Sequence, residues 1–439
     1  MSKSFIIESV ALYWPIVLSI VLYYYLRMHT DVDVKRPLTA GMMASVWVAA
    51  TLPWINDLCV AAGYWNFKVD HAYILKTLPL SLYLGWVVFW GMLPALILPY
   101  IGYRAWLIVL VFLLVDLFSM GLFEPVMTLT PWSWFIGEIW VVLISLSPAV
   151  YLSKWVILQK RVAWRASLVS IAFILLLLWV IPSSIAKFRI EFITLWSSYS
   201  LVAQCFWSLI LVLVSLPGAN GVMEFVRVGK GTPIPYDPPK NLVITGAYAY
   251  VRNPMQLSMI LVLLVWAYIF SSWFVAGLAV IALVYSIGIA RWSEIEDLTK
   301  RYGEEWLEYQ NEVKAWKMRL TPLCLSKEPA RIYVDADCVV CIPIGNWLNQ
   351  QRLTTLAIYP ADQWGDSGAE NVNHPLKRIT YYDPNQREVL SGVPAMARAF
   401  GHIHIAWAFL GWFIMFPGLC WLIQCAIDVG GGGELTKKK

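Results

Sequence analysis

Charged residues are scarce in this sequence. Asp, Glu, Lys and Arg make up 14% of its 439 residues, whereas hydrophobic residues make up 59%. Soluble globular domains carry roughly 25% charged residues, so this composition excludes an ordinary soluble protein. The net charge of +5 is not gathered into a basic run, which argues against nucleic acid as a partner. We expect an integral protein of a bacterial inner membrane.

Histidine and cysteine are also scarce, and this limits the possible cofactors. The five histidines are His29, His71, His374, His402 and His404. A long apolar region without histidine excludes a histidine-rich di-iron site or a histidine-ligated haem in a helix bundle. The seven cysteines supply a single C-x-x-C, and no nearby histidine completes a zinc site. We therefore expect no metal and no haem.

Long apolar runs are what the sequence has in abundance. Nine of them approach the roughly 20 residues that a helix needs to cross a bilayer. They lie at about 9–26, 40–63, 78–99, 104–122, 135–153, 166–186, 193–216, 255–270 and 273–290. Lys and Arg are concentrated after the first, third, fifth and seventh runs, which predicts cytoplasmic connections there and an external N-terminus.

The composition changes after Ala290, where charged and turn-forming residues replace long apolar runs. A last apolar segment, 403–429, is interrupted by Pro417 and Gly418 and followed by three lysines. A tenth span would place those lysines outside, so we favour two short helices packed on the soluble part or lying in the membrane interface. The predicted fold is mainly α, a transmembrane helical bundle of about nine spans with a C-terminal cytoplasmic α/β thioredoxin-like domain. The predicted modules are 1–190, 191–325 and 326–439.

The connection between the seventh and eighth runs is rich in proline and glycine, which exclude a continuous helix. Its Arg252 has two interpretations: an anchor at the membrane interface, or a guanidinium that binds a carboxylate through two hydrogen bonds. Tyr248 and Tyr250 add aromatic faces, and Glu294 follows the ninth run by about a turn. A sulfonium cofactor with an amino-acid tail needs carboxylates and aromatic faces for its cation and an arginine for its carboxylate.

Three motifs occur in order within residues 193–322: G-T-P-x-P, G-x-Y-x-x-x-R-N-P-M and E-x-x-x-L-x-x-x-Y-G-x-x-W-x-x-Y-x-x-x-V. In these motifs the sequence resembles the isoprenylcysteine carboxyl methyltransferase and phospholipid methyltransferase group, membrane enzymes that use S-adenosylmethionine. The resemblance implies a cofactor pocket formed by Tyr248, Tyr250, Arg252, Asn253 and Pro254 and closed by Arg291 and Glu294. Arg252 and Glu294 are its catalytic candidates. Many relatives have two adjacent glutamates where this chain has Glu294 and Ile295, so the second carboxylate is either Glu296 or missing.

Residues 331–348 have the pattern of a short strand, a turn and a helix that opens at a C-x-x-C, and strand-like segments follow at 353–360 and 377–383. A helix N-terminus stabilises a thiolate, so Cys338 is the expected attacking thiol and Cys341 the resolving one. Residues 330–428 resemble the DCC family of thiol-disulfide oxidoreductase-like domains, with alanine for the glycine of its Asp-Gly-x-Cys-x-x-Cys hallmark. The resemblance implies a thiol redox partner. A structural or metal-binding pair is the other interpretation.

The N-terminal part places acids in apolar surroundings, where they are costly and therefore functional candidates. The pattern D-x5-G-x-W-x-F, followed by D-x7-E-P, resembles membrane carotenoid hydratases and lycopene cyclase domains. That resemblance implies that Asp57, Asp116 or Glu124 protonates or hydrates an isoprenoid double bond. The alternative is that these acids lie at helix ends near water, which we expect of Glu124 and Glu138.

Together these patterns predict an S-adenosylmethionine-dependent methyltransferase that acts on a hydrophobic isoprenoid or lipid substrate at the cytoplasmic membrane face. Methyl transfer from a sulfonium is a direct displacement. Such an enzyme therefore needs to align the methyl donor with the acceptor more than it needs a catalytic dyad. Two alternatives stay open. One is a carotenoid or terpenoid hydratase or cyclase with tailoring modules, and the other is a membrane redox sensor or scaffold without enzymatic activity.

Overall fold

The computed structural model describes residues 3–29, 33–68, 74–75, 77–181, 192–232, 239–323, 325, 328–334, 341–351, 353–367, 378–386 and 388–429. The chain is mostly helical with a small sheet region, which confirms the coarse prediction of a mainly α fold. It divides into two compact units. The first is Met1–Gln204 with Lys230–Pro238 and Trp266–Val275, and the second is Cys205–Gly229, Pro239–Val265 and Ala276–Lys439. The three-module division stays a prediction.

Six helices in the described part of the chain are long and apolar enough to cross a membrane. They are α1 (Lys3–His29), α2 (Lys35–Ala61), α3 (Leu80–Ile101), α4 (Ala105–Phe123), α5 (Trp134–Ile157) and, further along, α8 (Leu201–Arg227). Three shorter apolar helices are α6 (Val162–Leu175), α9 (Pro254–Ile269) and α10 (Trp273–Gly288). A short helix, α7 (Phe192–Ser198), precedes α8. Each of the nine apolar runs thus contains an apolar helix, and the number of spans stays a prediction.

In the first unit, α2 is surrounded by helices because small residues allow close packing along it. Ala40, Ala44 and Ala50 are fully buried, and Gly91 of α3 lies against the backbone of Ser45. Two membrane-length helices contain π turns, Val88–Met92 in α3 and Val142–Leu146 in α5. Short strands lie in the connections between these helices. β1 (Trp65–Phe67) pairs antiparallel with β4 (Met127–Leu129), and β2 (Ile74–Leu75) pairs antiparallel with β3 (Leu78–Pro79).

In the second unit, the C-terminal half of α8 crosses α9 at short range. The Gly218 N–H of α8 donates to Ser258 Oγ of α9 at 2.8 Å, and a Cβ at Gly218 would lie 2.8 Å from the Ser258 Cβ. The absence of a side chain therefore permits this crossing. After α10 the chain continues into α11 (Arg291–Tyr302) and α12 (Glu304–Glu312).

A four-stranded mixed sheet follows α12. Its elements are β5 (Ala330–Val334), α13 (Cys341–Gln350), β6 (Leu356–Pro360), β7 (Thr380–Asp383), β8 (Glu388–Ser391) and α14 (Val393–Phe400). The strand order is β6-β5-β7-β8, with β5 and β6 parallel and the other neighbours antiparallel. A parallel pair needs a crossover connection, and α13 supplies it. The strands predicted within 353–360 and 377–383 are confirmed as β6 and β7.

The last apolar segment forms α15 (Ile405–Ile414) and α16 (Pro417–Val429), which differ in direction by 86°. The two helices predicted here are therefore present. α16 packs on the sheet-containing part of the unit, because Gln424 Oε1 accepts the Val393 N–H at 2.8 Å and Asp428 pairs with Arg378 at 2.7 Å. Trp421 and Leu422 of the same helix are exposed.

Candidate functional site

The residues before α9 form a tight turn that glycine makes possible. Gly246 has φ +61°, a left-handed backbone conformation that disfavours a side chain, and a Cβ there would collide with Asn220 and Glu224 of α8. The adjacent Ala247 N–H donates to Asn220 Oδ1 at 2.7 Å. The turn is thus fixed directly against α8.

Arg252 is held by the segment that contains the third sequence motif. Its Nη1 donates to the carbonyl of Gln310 at 3.1 Å, and its guanidinium carbon lies 5.7 Å from the ring centroid of Trp306. Its backbone N–H donates to the carbonyl of Lys314 at 3.1 Å. The aromatic face attracts the cation, and the hydrogen bonds orient it. An arginine fixed in this way can serve as a binding residue as well as an anchor.

Tyr248 connects α8 with α12. Its ring stacks on Phe225 with centroids 5.3 Å apart and an interplanar angle of 9°. Its carbonyl accepts the hydroxyl of Tyr309 at 2.9 Å. Burial raises the pKa of Tyr309, so this phenol remains a hydrogen-bond donor at physiological pH. The second and third sequence motifs therefore share one buried core, which also contains Trp306 and Val313.

Tyr250 packs against the C-terminal helices. Its hydroxyl donates to the carbonyl of Gly401 at 2.9 Å, and its ring meets that of Trp412 edge to face at 5.7 Å. Burial raises the pKa of Tyr250. These contacts give Tyr250 a clear packing role, and its predicted contact with a cofactor stays a prediction.

The other predicted pocket residues are placed only in part. Asn253 precedes α9, and its carbonyl accepts the Leu257 N–H at 3.0 Å. Pro254 is the first residue of α9, where its fixed φ suits a helix start, and it packs beside Gly221. Arg291 and Glu294 belong to α11, but their side chains lie outside the described residues. Their predicted roles stay predictions.

The C-x-x-C also lies at the edge of what the structure describes. Cys338 is outside the described residues, and Cys341 is the first residue of α13, with its side chain also outside them. The predicted opening of a helix at this motif is confirmed for the backbone from position 341. The redox roles of the two thiols stay predictions.

A buried ion network, which the sequence interpretation missed, adjoins the turn. Glu224 of α8 is 0% exposed and pairs with both terminal nitrogens of Arg398 of α14 at 2.5 and 2.9 Å. The Thr245 hydroxyl donates to the same carboxylate at 2.5 Å. Glu388 of β8 joins Arg398 at 3.0 Å and Arg227 at 3.0 Å. The signal for this site was an acid near the end of an otherwise apolar helix.

The N-terminal acids separate into distinct environments. Asp57 is half-buried and accepts the Thr77 hydroxyl at 3.1 Å, whereas Glu124 is exposed, as predicted. Asp116 is 3% exposed and accepts the Trp90 indole N–H at 2.9 Å. Glu138 is 1% exposed, so the prediction that it lies near water is wrong. α5 begins at Trp134, which places Glu138 one turn inside the helix and on its buried face.

The described residues contain no group of three or more His, Cys, Asp and Glu side chains arranged to hold a metal ion. A comparison with protein-family models, curated proteins and solved structures found no match to this chain.

Proposed function

We propose that the second unit contains an S-adenosylmethionine-dependent methyltransferase site that acts on a hydrophobic isoprenoid or lipid substrate at the cytoplasmic face of the membrane. One observation carries this proposal. Two motifs that are distant in sequence fold into a common core, in which Trp306 and Tyr309 hold Arg252 and Tyr248. A cofactor pocket built from both motifs requires such packing, and this supports the proposal.

The residue types in and near the turn suit the chemistry of the cofactor. Arg252 presents a planar fork of N–H donors and binds the carboxylate of the amino-acid tail, as arginine does in bidentate pairs. Glu294 neutralises the cation, and the aromatic face of Tyr248 borders the pocket. When bound, S-adenosylmethionine supplies an electrophilic methyl group on a sulfonium. The chain has only to align the acceptor and exclude water, so no general base is required.

We propose in addition that the C-terminal α/β part is a thioredoxin-like domain with a thiol redox partner. The support is the β5-α13-β6 crossover, in which two parallel strands flank a helix that begins at the second cysteine of the C-x-x-C. A C-x-x-C beside such a βαβ arrangement is typical of thiol redox sites. In this position Cys338 attacks a disulfide and Cys341 resolves the mixed disulfide.

The methyltransferase proposal is tested by transfer of labelled methyl groups. Purified full-length protein is incubated with methyl-labelled S-adenosylmethionine and lipid extract from its own membrane, and the organic phase is analysed for labelled product. Label should appear there with the wild type and with Arg331→Ala, whose side chain lies on β5 and pairs with exposed Glu328. It should be lost with Arg252→Ala. Equal labelling by wild type and Arg252→Ala would contradict the proposal.

A wild-type protein that transfers no methyl group would favour the alternatives. Hydration or cyclisation of an isoprenoid would then be the first activity to measure, since Asp116 and Glu138 are buried carboxyl groups in the first unit. A protein inactive in both assays but with a reversibly oxidised C-x-x-C would be the redox sensor or scaffold.

A further inference from the structure

Two carboxyl groups lie in the interior of the first unit. Asp116 belongs to α4 and Glu138 to α5, and both side chains are more than nine-tenths buried. The two groups interact electrostatically with each other, and Glu138 also interacts with the Cys59 thiol of α2. None of the ion pairs among the described residues includes either acid. Within the described part of the chain, the pair therefore has no basic partner of the kind that buried carboxylates normally have.

The two carboxyl groups differ in their hydrogen bonds. Asp116 Oδ2 accepts the Trp90 indole N–H at 2.9 Å, which stabilises a negative charge on this group. Glu138 Oε1 is buried and has no hydrogen-bond partner among the residues that the structure describes. A charged oxygen without a partner costs several kcal/mol in such surroundings. The neighbouring carboxylates repel each other as well, so ionisation of both is strongly disfavoured.

The helices around the pair depart from regular α geometry near it. Trp90 lies within the π turn Val88–Met92, and the π turn Val142–Leu146 begins one turn after Glu138. π turns inside α-helices occur frequently at functional sites, because they redirect side chains and backbone groups. The surrounding core is aromatic: Trp86 lies near both Trp90 and Phe123.

We propose that Asp116 and Glu138 form a proton-binding site that holds one exchangeable proton inside the first unit. Glu138 carries the proton, because among the described residues its Oε1 has no hydrogen-bond donor that would stabilise a negative charge. Asp116 is the anion, because Trp90 supplies it with a hydrogen bond. The ligand of this site is a proton, and the site keeps a carboxylic acid available as a donor in surroundings that exclude bulk water. The proposal is independent of the methyltransferase function of the second unit.

Infrared spectroscopy tests this proposal on the full-length protein in lipid nanodiscs at neutral pH. The carbonyl stretching band of a protonated carboxylic acid should be present and should shift in D₂O, since the proton is exchangeable. Glu138→Gln should abolish this band, whereas Asp116→Asn and the control Glu124→Gln, at an exposed acid, should retain it. If Glu138→Gln fails to fold, Glu138→Asp replaces it, and its band should be shifted in frequency from that of the wild type. Absence of the wild-type band, or a band unchanged in Glu138→Gln, would overturn the proposal.

Discussion

Glu224 and Arg398 form an ion pair that water scarcely reaches, with side-chain exposures of 0% and 7%. Their contact joins α8 to α14, while Thr245 adds a third hydrogen bond from the turn before Arg252. A charge left alone in such a site is not rehydrated, so each partner depends on the other. The sequence alone could not pair them, because 174 positions separate them and no local pattern links the acid in α8 to Arg398. Arg252 and Tyr248, by contrast, were identified as candidate pocket residues because their motif is local, and their role in a pocket stays a prediction.

Removal of either partner should be strongly destabilising. Glu224→Gln and Arg398→Met should each lower the unfolding free energy by about 3–5 kcal/mol, whereas the double variant should lose less than the sum. Thermal denaturation in detergent measures this. Asp428→Asn serves as the control, because its pair with Arg378 is about a quarter to a third exposed and should contribute about 1 kcal/mol or less. Additive losses in the double variant would disprove the coupling.

His402 should make the stability depend on pH. Burial, reinforced by the Arg398 cation, lowers the pKa of His402 to about 3, and its ring nitrogens are hydrogen-bonded to Tyr381 and Thr355. An unfolded histidine has a pKa of about 6.5. Between these values the unfolded chain binds a proton that the folded chain does not, so stability falls as the pH falls below about 6.5. Above that pH, His402 is neutral in both states and does not make the unfolding free energy depend on pH.

Melting curves in detergent at pH 7.5 and 5.5 test this dependence. The wild type should lose at most about 1.4 kcal/mol per pH unit within the window. His402→Gln should show a smaller loss, whereas His404→Gln, at an exposed position, should behave as the wild type does. If all three proteins have the same pH dependence, then His402 is not the responsible group.

The turn Gly246–Ala249 is the element on which the site depends most. Proline and glycine in the sequence predicted a break in helix here, and the structure confirms it. The three-residue strands β1 and β4 and the π turns had not been predicted, because segments this short contain no hydrophobic period. β6, β7 and the start of α13 were predicted correctly, since β-branched and aromatic residues and a C-x-x-C mark them.

A matched pair of glycine substitutions separates backbone conformation from packing in this turn. Gly246 and Gly303 have similar positive φ values, +61° and +55°, but nothing surrounds a Cβ at Gly303. Gly303→Ala should therefore cost only the strain of its backbone conformation (φ +55°, ψ −127°), about 1–3 kcal/mol. Gly246→Ala should lower the unfolding free energy by more than Gly303→Ala does, because its methyl group also displaces Glu224. Equal losses in the two variants would show that the turn does not pack on α8 as described.

Over the whole chain, composition predicted long apolar helices, and six helices among the described residues are long and apolar enough to cross a membrane. Every predicted apolar run contains a helix, although three of them are shorter than a typical span. The division into two compact units was not predicted, since it depends on contacts between distant segments. The buried position of Glu138 was missed for the same reason: helical periodicity shows a polar residue but not what packs against it.

Binding of S-adenosylmethionine tests the central claim most directly. Full-length protein in lipid nanodiscs is titrated with the cofactor in a calorimeter, together with Arg252→Ala and the control Arg331→Ala. The wild type and Arg331→Ala should bind with the same affinity. Arg252→Ala should bind at least about tenfold more weakly, because a charge-assisted hydrogen bond contributes about 1.5–3 kcal/mol. No saturable binding by the wild type, or equal binding by Arg252→Ala, would contradict the account.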